Sequence, residues 1–118
     1  MEKEILHPAL TVLSEEEELF RSSVREFAEG EVRPRVEKME HAGKLDQDLI
    51  QQCFELGLMA IETPEEYGGA GSTFFNAILA IEELSRVDAS TSVFVDVQNT
   101  LVTNAIIRWA SEDLKKKY

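Results

Sequence analysis

The sequence predicts an all-α fold, an up-and-down bundle of about five to six helices. Apolar residues recur at helical spacing along most of the chain, and helix-capping residues precede several of these runs. Glycines and prolines fall between the runs, where helices end. With 118 residues, 43% of them apolar and 30% charged, the chain has the composition of one globular domain.

The first predicted helix begins after Ser14. Ser14 and Glu17 form a capping-box pattern, and consecutive glutamates occupy the first turn, where the helix dipole favours negative charge. Pro34 has no amide hydrogen to donate, so Gly30 and Pro34 are expected to end or bend this helix. The side chains predicted to face the core are Phe20, Val24, Phe27 and Ala28.

Two further helices are expected before the middle of the chain. One runs from Pro34 to about His41 and is closed by Gly43. Asp46 then caps the next helix, and Gly57 ends it as a left-handed residue. The side chains that this third helix should bury are Leu49, Ile50, Cys53 and Phe54.

The stretch EEYGGAGST concentrates three glycines between two helix starts. Thr63 is a candidate cap for one helical turn, which Gly68 and Gly69 then stop. Phosphate-binding loops also place glycines before a helix, but no strand precedes this loop and no lysine follows it. A tight connection is therefore the favoured interpretation. Ser72 or Thr73 caps the fourth helix, whose expected apolar stripe is Phe74, Phe75, Ile78, Ile81 and Leu84.

The segment from Asp88 or Ser90 to about Ala110 predicts a long, central helix. Its first half is rich in valine and threonine, so a strand over residues 91–97 is an alternative. Helical spacing favours the helix, with an apolar stripe of Phe94, Val97, Leu101, Ala105, Ile106 and Trp109.

Five polar residues lie within this apolar helix: Asp96, Gln98, Asn99, Thr103 and Asn104. A buried amide without a partner costs about 1–3 kcal/mol, so each must be satisfied in some way. Solvent or neighbouring loops and helices can serve each residue separately. Alternatively Gln98, Val102 and Ile106, spaced at one-turn intervals, line a pocket or a surface made for another domain. Spacing alone leaves both interpretations open.

Composition and motif content disfavour several functions. Twelve Lys plus Arg against 23 Asp plus Glu give a net charge of -11, which repels nucleic acid and anionic lipid. Cys53 is the only cysteine, so an internal disulfide and a thiolate metal cluster are excluded, and a packing role is expected. No apolar run is long enough to span a membrane, and no catalytic triad or metal-ligand spacing is present.

Four motifs in order carry a family resemblance: PEEYGGAG, AIEELSRVDAST, VQNTL and EDLKKKY. From Leu10 onward the chain resembles the N-terminal helical domain of the acyl-CoA dehydrogenases. The stretch EELSRVDASTSVFVDVQNTL is most similar to the short/branched-chain enzymes. The resemblance implies an N-terminal extension over residues 1–13 and an N-terminal α domain over residues 14–118, cut within its last helix.

The resemblance also implies a larger enzyme, in which a β domain and a C-terminal α domain complete a subunit of a homotetramer. Such an enzyme holds FAD and dehydrogenates the α,β bond of an acyl-CoA thioester. It passes electrons to an electron-transferring flavoprotein, in the bacterial cytoplasm or the mitochondrial matrix. The family's catalytic glutamate and main flavin-binding segments have no counterpart in this chain. The isolated chain is therefore expected to be inactive, with no catalytic residue, no metal ligand and no assignable flavin contact.

What the resemblance assigns to this chain is the far end of the acyl pocket. It implies that Gln98 faces the acyl chain, that Val102 and Ile106 continue the wall, and that Asn99 lies beside it. Medium-chain members carry an acid where Val102 stands, so valine implies a narrower pocket for a short or branched acyl group. Two alternatives stay open: a non-catalytic helical interaction module, and a flavin oxidase or monooxygenase on the same fold.

Overall fold

The computed structural model describes residues 9–118, and the predicted all-α class is confirmed over them. No strand occurs in this range. The first eight residues of the predicted N-terminal extension lie outside the described residues. The α-helices are α1 Glu15–Phe27, α2 Val36–Ala42, α3 Gln47–Glu55, α4 Phe74–Ser85, α5 Ala89–Val97, α6 Asn104–Trp109 and α7 Glu112–Lys117.

Helix α1 begins as predicted. The Ser14 hydroxyl accepts a hydrogen bond from the Glu17 amide at 3.2 Å, and the Glu17 carboxylate accepts one from the Ser14 amide at 2.8 Å. Gly30 does not end the helix. The backbone continues through a π-helical turn, Ala28–Val32, and a 3₁₀ turn, Arg33–Arg35, into α2. The helix therefore bends and does not end here, because a change of helical pitch relieves the clash between the proline ring and the preceding turn.

Helix α3 is capped as predicted, but one of its side chains was misplaced. The Asp46 carboxylate accepts from the amides of Asp48 and Leu49. Leu49 and Cys53 are buried, whereas Phe54 is 54% exposed, which corrects the predicted stripe. The following segment, residues 58–61, buries Leu58, Met59 and Ile61 without regular secondary structure.

Helix α4 packs between α1 and α5, and it uses smaller side chains than predicted. Phe74 and Ile78 are exposed, while Ala77, Ala80 and Leu84 are buried. Leu79 is buried as well. The alanines let neighbouring helices approach closely, so Phe74 and Ile78 face outward. Thr73 caps the helix, and Thr63 makes no side-chain cap for the single 3₁₀ turn Glu65–Tyr67.

The helix predicted from Asp88 is present and spans residues 89–109 as α5, a second π-helical turn at Gln98–Thr103, and α6. We call it the long helix. The Asp88 carboxylate caps it by accepting from the Thr91 amide at 3.0 Å. No strand forms at residues 91–97. Of the predicted apolar stripe, Phe94 does pack against the core and Ile106 is half-buried. Burial of Val97, Leu101, Ala105 and Trp109 was wrong, because the fully buried face consists of Thr91, Ser92, Val95 and Asn99.

Candidate functional site

The long helix presents a row of exposed apolar side chains to solvent. Its members follow each other at intervals of four residues, and we call them the open stripe: Val93, Val97, Leu101, Ala105 and Trp109. Leu101 is 63% exposed and Trp109 is 84% exposed. Such a contiguous apolar row on an otherwise acidic protein is typical of a surface that binds another molecule or another part of a protein.

The predicted site residues Gln98, Val102 and Ile106 lie beside this stripe. Gln98 and Ile106 are half-buried and line one groove of about 150 Å³. Val102 is 41% exposed and lies outside the groove lining. The groove is also lined by Phe54, Met59, Ala60, Thr63, Tyr67, Gly68, Thr103, Ile107, Lys115 and Tyr118. Ligand pockets for whole small molecules measure about 300–1,000 Å³, so this groove accommodates only a small group.

Asn99 lies on the opposite face of the long helix, where it is 5% exposed. Its Oδ1 accepts a hydrogen bond from the Ile61 amide at 2.8 Å. Its Nδ2 donates to the carbonyl oxygens of Leu58 at 2.7 Å and Val95 at 2.8 Å. Asn99 therefore joins the long helix to the segment of residues 58–61, which carries the groove residues Met59 and Ala60.

Other polar side chains of the long helix donate to its own carbonyl groups around the second π-turn. Thr100 Oγ1 donates to the Asp96 carbonyl at 2.9 Å, and Thr103 Oγ1 donates to the Asn99 carbonyl at 2.6 Å. Asn104 Nδ2 donates to the Thr100 carbonyl at 3.0 Å. In each of these bonds the side chain donates to the carbonyl group four residues earlier, so each of these polar groups has a partner within the helix. This explains several of the polar residues in an apolar helix.

The glycine-rich loop does not fit a phosphate or a flavin pyrophosphate. The backbone amides of residues 67–72 all donate to nearby carbonyl oxygens, so none of them is left to bind an anion. A side chain at Gly69 would collide with the Thr63 carbonyl oxygen. The glycines thus allow a close approach to residues 60–63, as expected for a tight connection.

Two ionisable groups near the groove, Tyr67 and Glu112, are hydrogen-bonded to each other. The Tyr67 hydroxyl donates to the Glu112 carboxylate at 2.9 Å, and this bond raises the pKa of Tyr67 and lowers the pKa of Glu112. Burial raises the pKa of the Cys53 thiol to about 11, in agreement with its predicted packing role.

Residues 9–118 contain no cluster of three or more His, Cys, Asp or Glu side chains placed to hold a metal ion. Within the same range, the helices all fall short of the length and apolarity needed to cross a membrane.

Sequence reasoning missed several members of the site. Val97, Leu101, Ala105 and Trp109 were predicted, but as core residues, and Val93 was not singled out. The regular spacing of four residues was the available signal for the stripe. Thr103 and Ile107 enter the groove because the π-turn shifts the helical register, which α-helical spacing does not anticipate.

Comparisons with known proteins support one family. The family model described as acyl-CoA dehydrogenase, N-terminal domain, matches residues 14–118. A probable short/branched chain specific acyl-CoA dehydrogenase of Dictyostelium discoideum is 45% identical over 98% of this chain and 28% of its own length. The mitochondrial short/branched chain specific enzyme of Bos taurus is 41% identical over 92% of this chain and 25% of its own length.

Solved structures agree with this result. Butyryl-CoA dehydrogenase from Megasphaera elsdenii superposes with a TM-score of 0.81 at 29% identity, over 91% of this chain and 29% of that one. A glutaryl-CoA dehydrogenase from Mycobacterium smegmatis in complex with FADH2 gives 0.84 at 29% identity, over 90% and 27%. A chain from a structure of the electron transferring flavoprotein of Acidaminococcus fermentans gives 0.84 at 36% identity, over 91% and 28%.

The chain thus spans less than a third of the length of these relatives, while they match nearly all of it. Together with the all-helical fold and the family model that covers residues 14–118, these matches establish that the chain belongs to the acyl-CoA dehydrogenase N-terminal domain family.

Proposed function

We propose that this domain forms the distal wall of the acyl pocket in a flavin-dependent dehydrogenase that acts on a short or branched acyl-CoA thioester. The observation that carries the proposal is the open stripe. One face of the long helix packs against the core, and the other displays apolar side chains to solvent in a member of this family. An acyl tail is a ligand of matching chemistry, because burying its hydrocarbon surface is favourable by about 25 cal/mol per Å².

The described residues would bind the acyl tail and exclude water from it. The open stripe carries no titratable side chain, so we assign removal of the α proton to another part of the protein. FAD accepts hydride in enzymes of this kind. The glycine loop offers it no free donor, and we propose that FAD is bound mostly by other parts of the protein.

In this proposal the four predicted site residues have different parts. Gln98 and Ile106 bound the wall at the groove, and Val102 extends it next to the open stripe. The Asn99 carboxamide is already used inside the domain, so its part is to support the wall without contacting the tail.

The acyl preference follows from side-chain shape and from the relatives. Valines at positions 93, 97 and 102 give the wall short, branched apolar side chains, and an apolar pocket discriminates by about 1–3 kcal/mol per methylene. Two of the most similar relatives are short/branched chain specific enzymes. From the same similarity we propose an electron transferring flavoprotein as the electron acceptor, a homo-oligomeric assembly, and a bacterial cytoplasmic or mitochondrial matrix location.

Val97→Glu tests the proposal in the complete flavin-loaded protein. A carboxylate in an apolar pocket carries a desolvation penalty, so kcat/KM for a short branched acyl-CoA should fall about tenfold or more. The melting temperature should change little, because Val97 is partly open and outside the core. Val102→Glu should have a smaller effect in the same direction.

Leu19→Glu provides the matched control, since Leu19 is an exposed apolar residue of α1, away from the long helix. It should leave the acyl-chain profile unchanged. Equal loss with every acyl length together with a large fall in melting temperature, or no loss with Val97→Glu, would contradict the proposal.

A further inference from the structure

The open stripe is straighter than an α-helix permits. In an α-helix, residues four apart are rotated by about 40° from each other, because each residue turns the chain by about 100°. Over the sixteen residues from Val93 to Trp109 this rotation accumulates to about 160°. On a regular α-helix the two ends of the stripe would therefore lie on nearly opposite faces.

The second π-turn removes most of this rotation. It adds one residue to a turn, so every later residue lies about 100° behind its α-helical position. The net rotation from Val93 to Trp109 is then about 60°, which keeps both on one side. Their exposure, and that of the three stripe residues between them, agrees with this geometry.

Specific side chains hold the π-turn in place. No proline lies within or next to it, so nothing in the backbone forces it. Thr103 and Asn104 donate to carbonyl groups within the widened turn, and Thr100 donates to the Asp96 carbonyl just before it. Asn99 adds three bonds, two of which cross to residues 58 and 61 and fix the rotation of the helix against the body of the domain.

We propose that the second π-turn, anchored by Asn99 as a positioning residue, aligns the two halves of the open stripe into one continuous wall. Val93 and Val97 form the half before the turn, and Leu101, Ala105 and Trp109 form the half at and after it. The alignment determines how long an apolar tail the wall can cover. This last step rests on the function proposed above, whereas the alignment itself does not.

Insertion of one alanine between Ala105 and Ile106 in the 118-residue chain tests the alignment directly. Trp109 is the only tryptophan and reports on the rotation of the second half. One added residue in α6 advances Trp109 by about 100°, towards the packed side of the helix. Acrylamide quenching of its fluorescence should therefore fall. Deletion of Thr100 is the matched control: it takes the extra residue out of the widened turn, restores α-helical pitch and leaves Trp109 at the same rotation, so the quenching should stay unchanged.

Unchanged quenching in the insertion variant, or altered quenching in the Thr100 deletion variant, with full helix content by circular dichroism would overturn the alignment. Should either variant fail to fold, Asn99→Leu and Thr103→Val remove the anchors without changing chain length. Both should speed hydrogen exchange of the amides of residues 98–103 and change Trp109 quenching. Native exchange rates and quenching in both variants would equally overturn it.

The complete enzyme separates this inference from the proposed function. With the alanine insertion, kcat/KM should fall more for longer acyl tails than for the shortest. If Trp109 rotates while the acyl-chain profile stays the same, the alignment stands and the acyl role of the stripe fails. If the quenching does not change, the alignment fails whatever the profile.

Discussion

The two π-turns of this domain differ in what produces them. Ala28–Val32 lies between α1 and a 3₁₀ turn that contains Pro34, whereas Gln98–Thr103 lies between two α-helical segments without a proline nearby. At the first turn, the proline ring excludes the carbonyl of residue 30 from its α-helical place. At the second, hydrogen bonds from side chains to carbonyl groups hold the widened turn. The first is a consequence of covalent structure, and the second depends on particular side chains.

The surroundings of the two π-turns differ as well. Near the first turn, Glu29 and Arg33 form an ion pair in which both side chains are about half exposed, and exposed pairs contribute little. At the second turn, Asn99 is almost fully buried and bonded to residues far away in sequence. A turn that is fixed in this way can position a neighbouring surface, while the first turn only redirects the chain into α2.

The largest expected effect comes from breaking the second turn with Asn99→Ala. The change leaves the buried Ile61 amide and Leu58 carbonyl without partners, so the free energy of unfolding should fall by about 2–4 kcal/mol. Urea unfolding followed by circular dichroism measures it. Glu29→Ala at the first turn is the control and should leave the urea midpoint close to that of the parent chain. Similar losses for the two variants would show that the turns are held alike.

A smaller effect, with opposite signs at two sites, is expected from replacing glycine by alanine. Gly30 in the first π-turn has negative φ and free space around the position of a Cβ, so Gly30→Ala should stabilise the domain by about 0.5–1 kcal/mol. Gly69→Ala should destabilise it by about 1–3 kcal/mol, because the new methyl group collides with the Thr63 carbonyl oxygen. Melting temperatures of both variants check the signs. A stabilising Gly69→Ala would refute the close-approach role of that loop.

The structural features that could be predicted from the sequence are those that depend on local interactions. Ser14 and Asp46 cap helices through bonds to residues at most three positions away, and both caps are present. The face that the long helix turns to the core was not predicted, because small and polar residues pack there. Ser92, for example, donates to the Ile81 carbonyl of α4. Which face of the long helix is buried depends on how closely two helices approach each other, and hydrophobic periodicity does not encode that distance.

Prediction of the candidate site was limited for the same reason. Gln98 and Ile106 do share a groove, but their register relative to Val102 depends on the second π-turn. This π-turn depends on the hydrogen bond from the Ile61 amide to the Asn99 side chain, and the two residues are 38 positions apart in the sequence. The Asn and Thr residues within the apolar helix were visible in the sequence. Their role could be interpreted only once the position of the π-turn was known. The acyl role of these residues stays a proposal.

The smallest expected effect concerns the pH dependence of the contact that holds α1, the helix leading into the first turn. Glu83 of α4 is 4% exposed, and its carboxylate accepts hydrogen bonds from Arg25 at 2.9 and 2.8 Å and from Arg86 at 3.2 Å. The bonds from Arg25 are the main cause of a lowered pKa for Glu83. The unfolded chain then binds this proton more readily than the folded one. The stabilisation is complete above the ordinary glutamate pKa of 4.5 and is lost as the pH falls through the lowered pKa.

Glu83→Gln should therefore make the melting temperature fall less steeply as the pH drops below 4.5. Near neutral pH, the substitution should have little effect on how the melting temperature depends on pH. The pKa of Glu29 is also lowered, chiefly by its bond to Arg33, but that pair is exposed and screened by solvent. Glu29→Gln should flatten the same curve less, and added salt should remove its effect first. Equal flattening by the two variants at every salt concentration would mean that burial of Glu83 does not strengthen its pairing, because solvent would then screen the α1–α4 contact as fully as the pair beside the first turn.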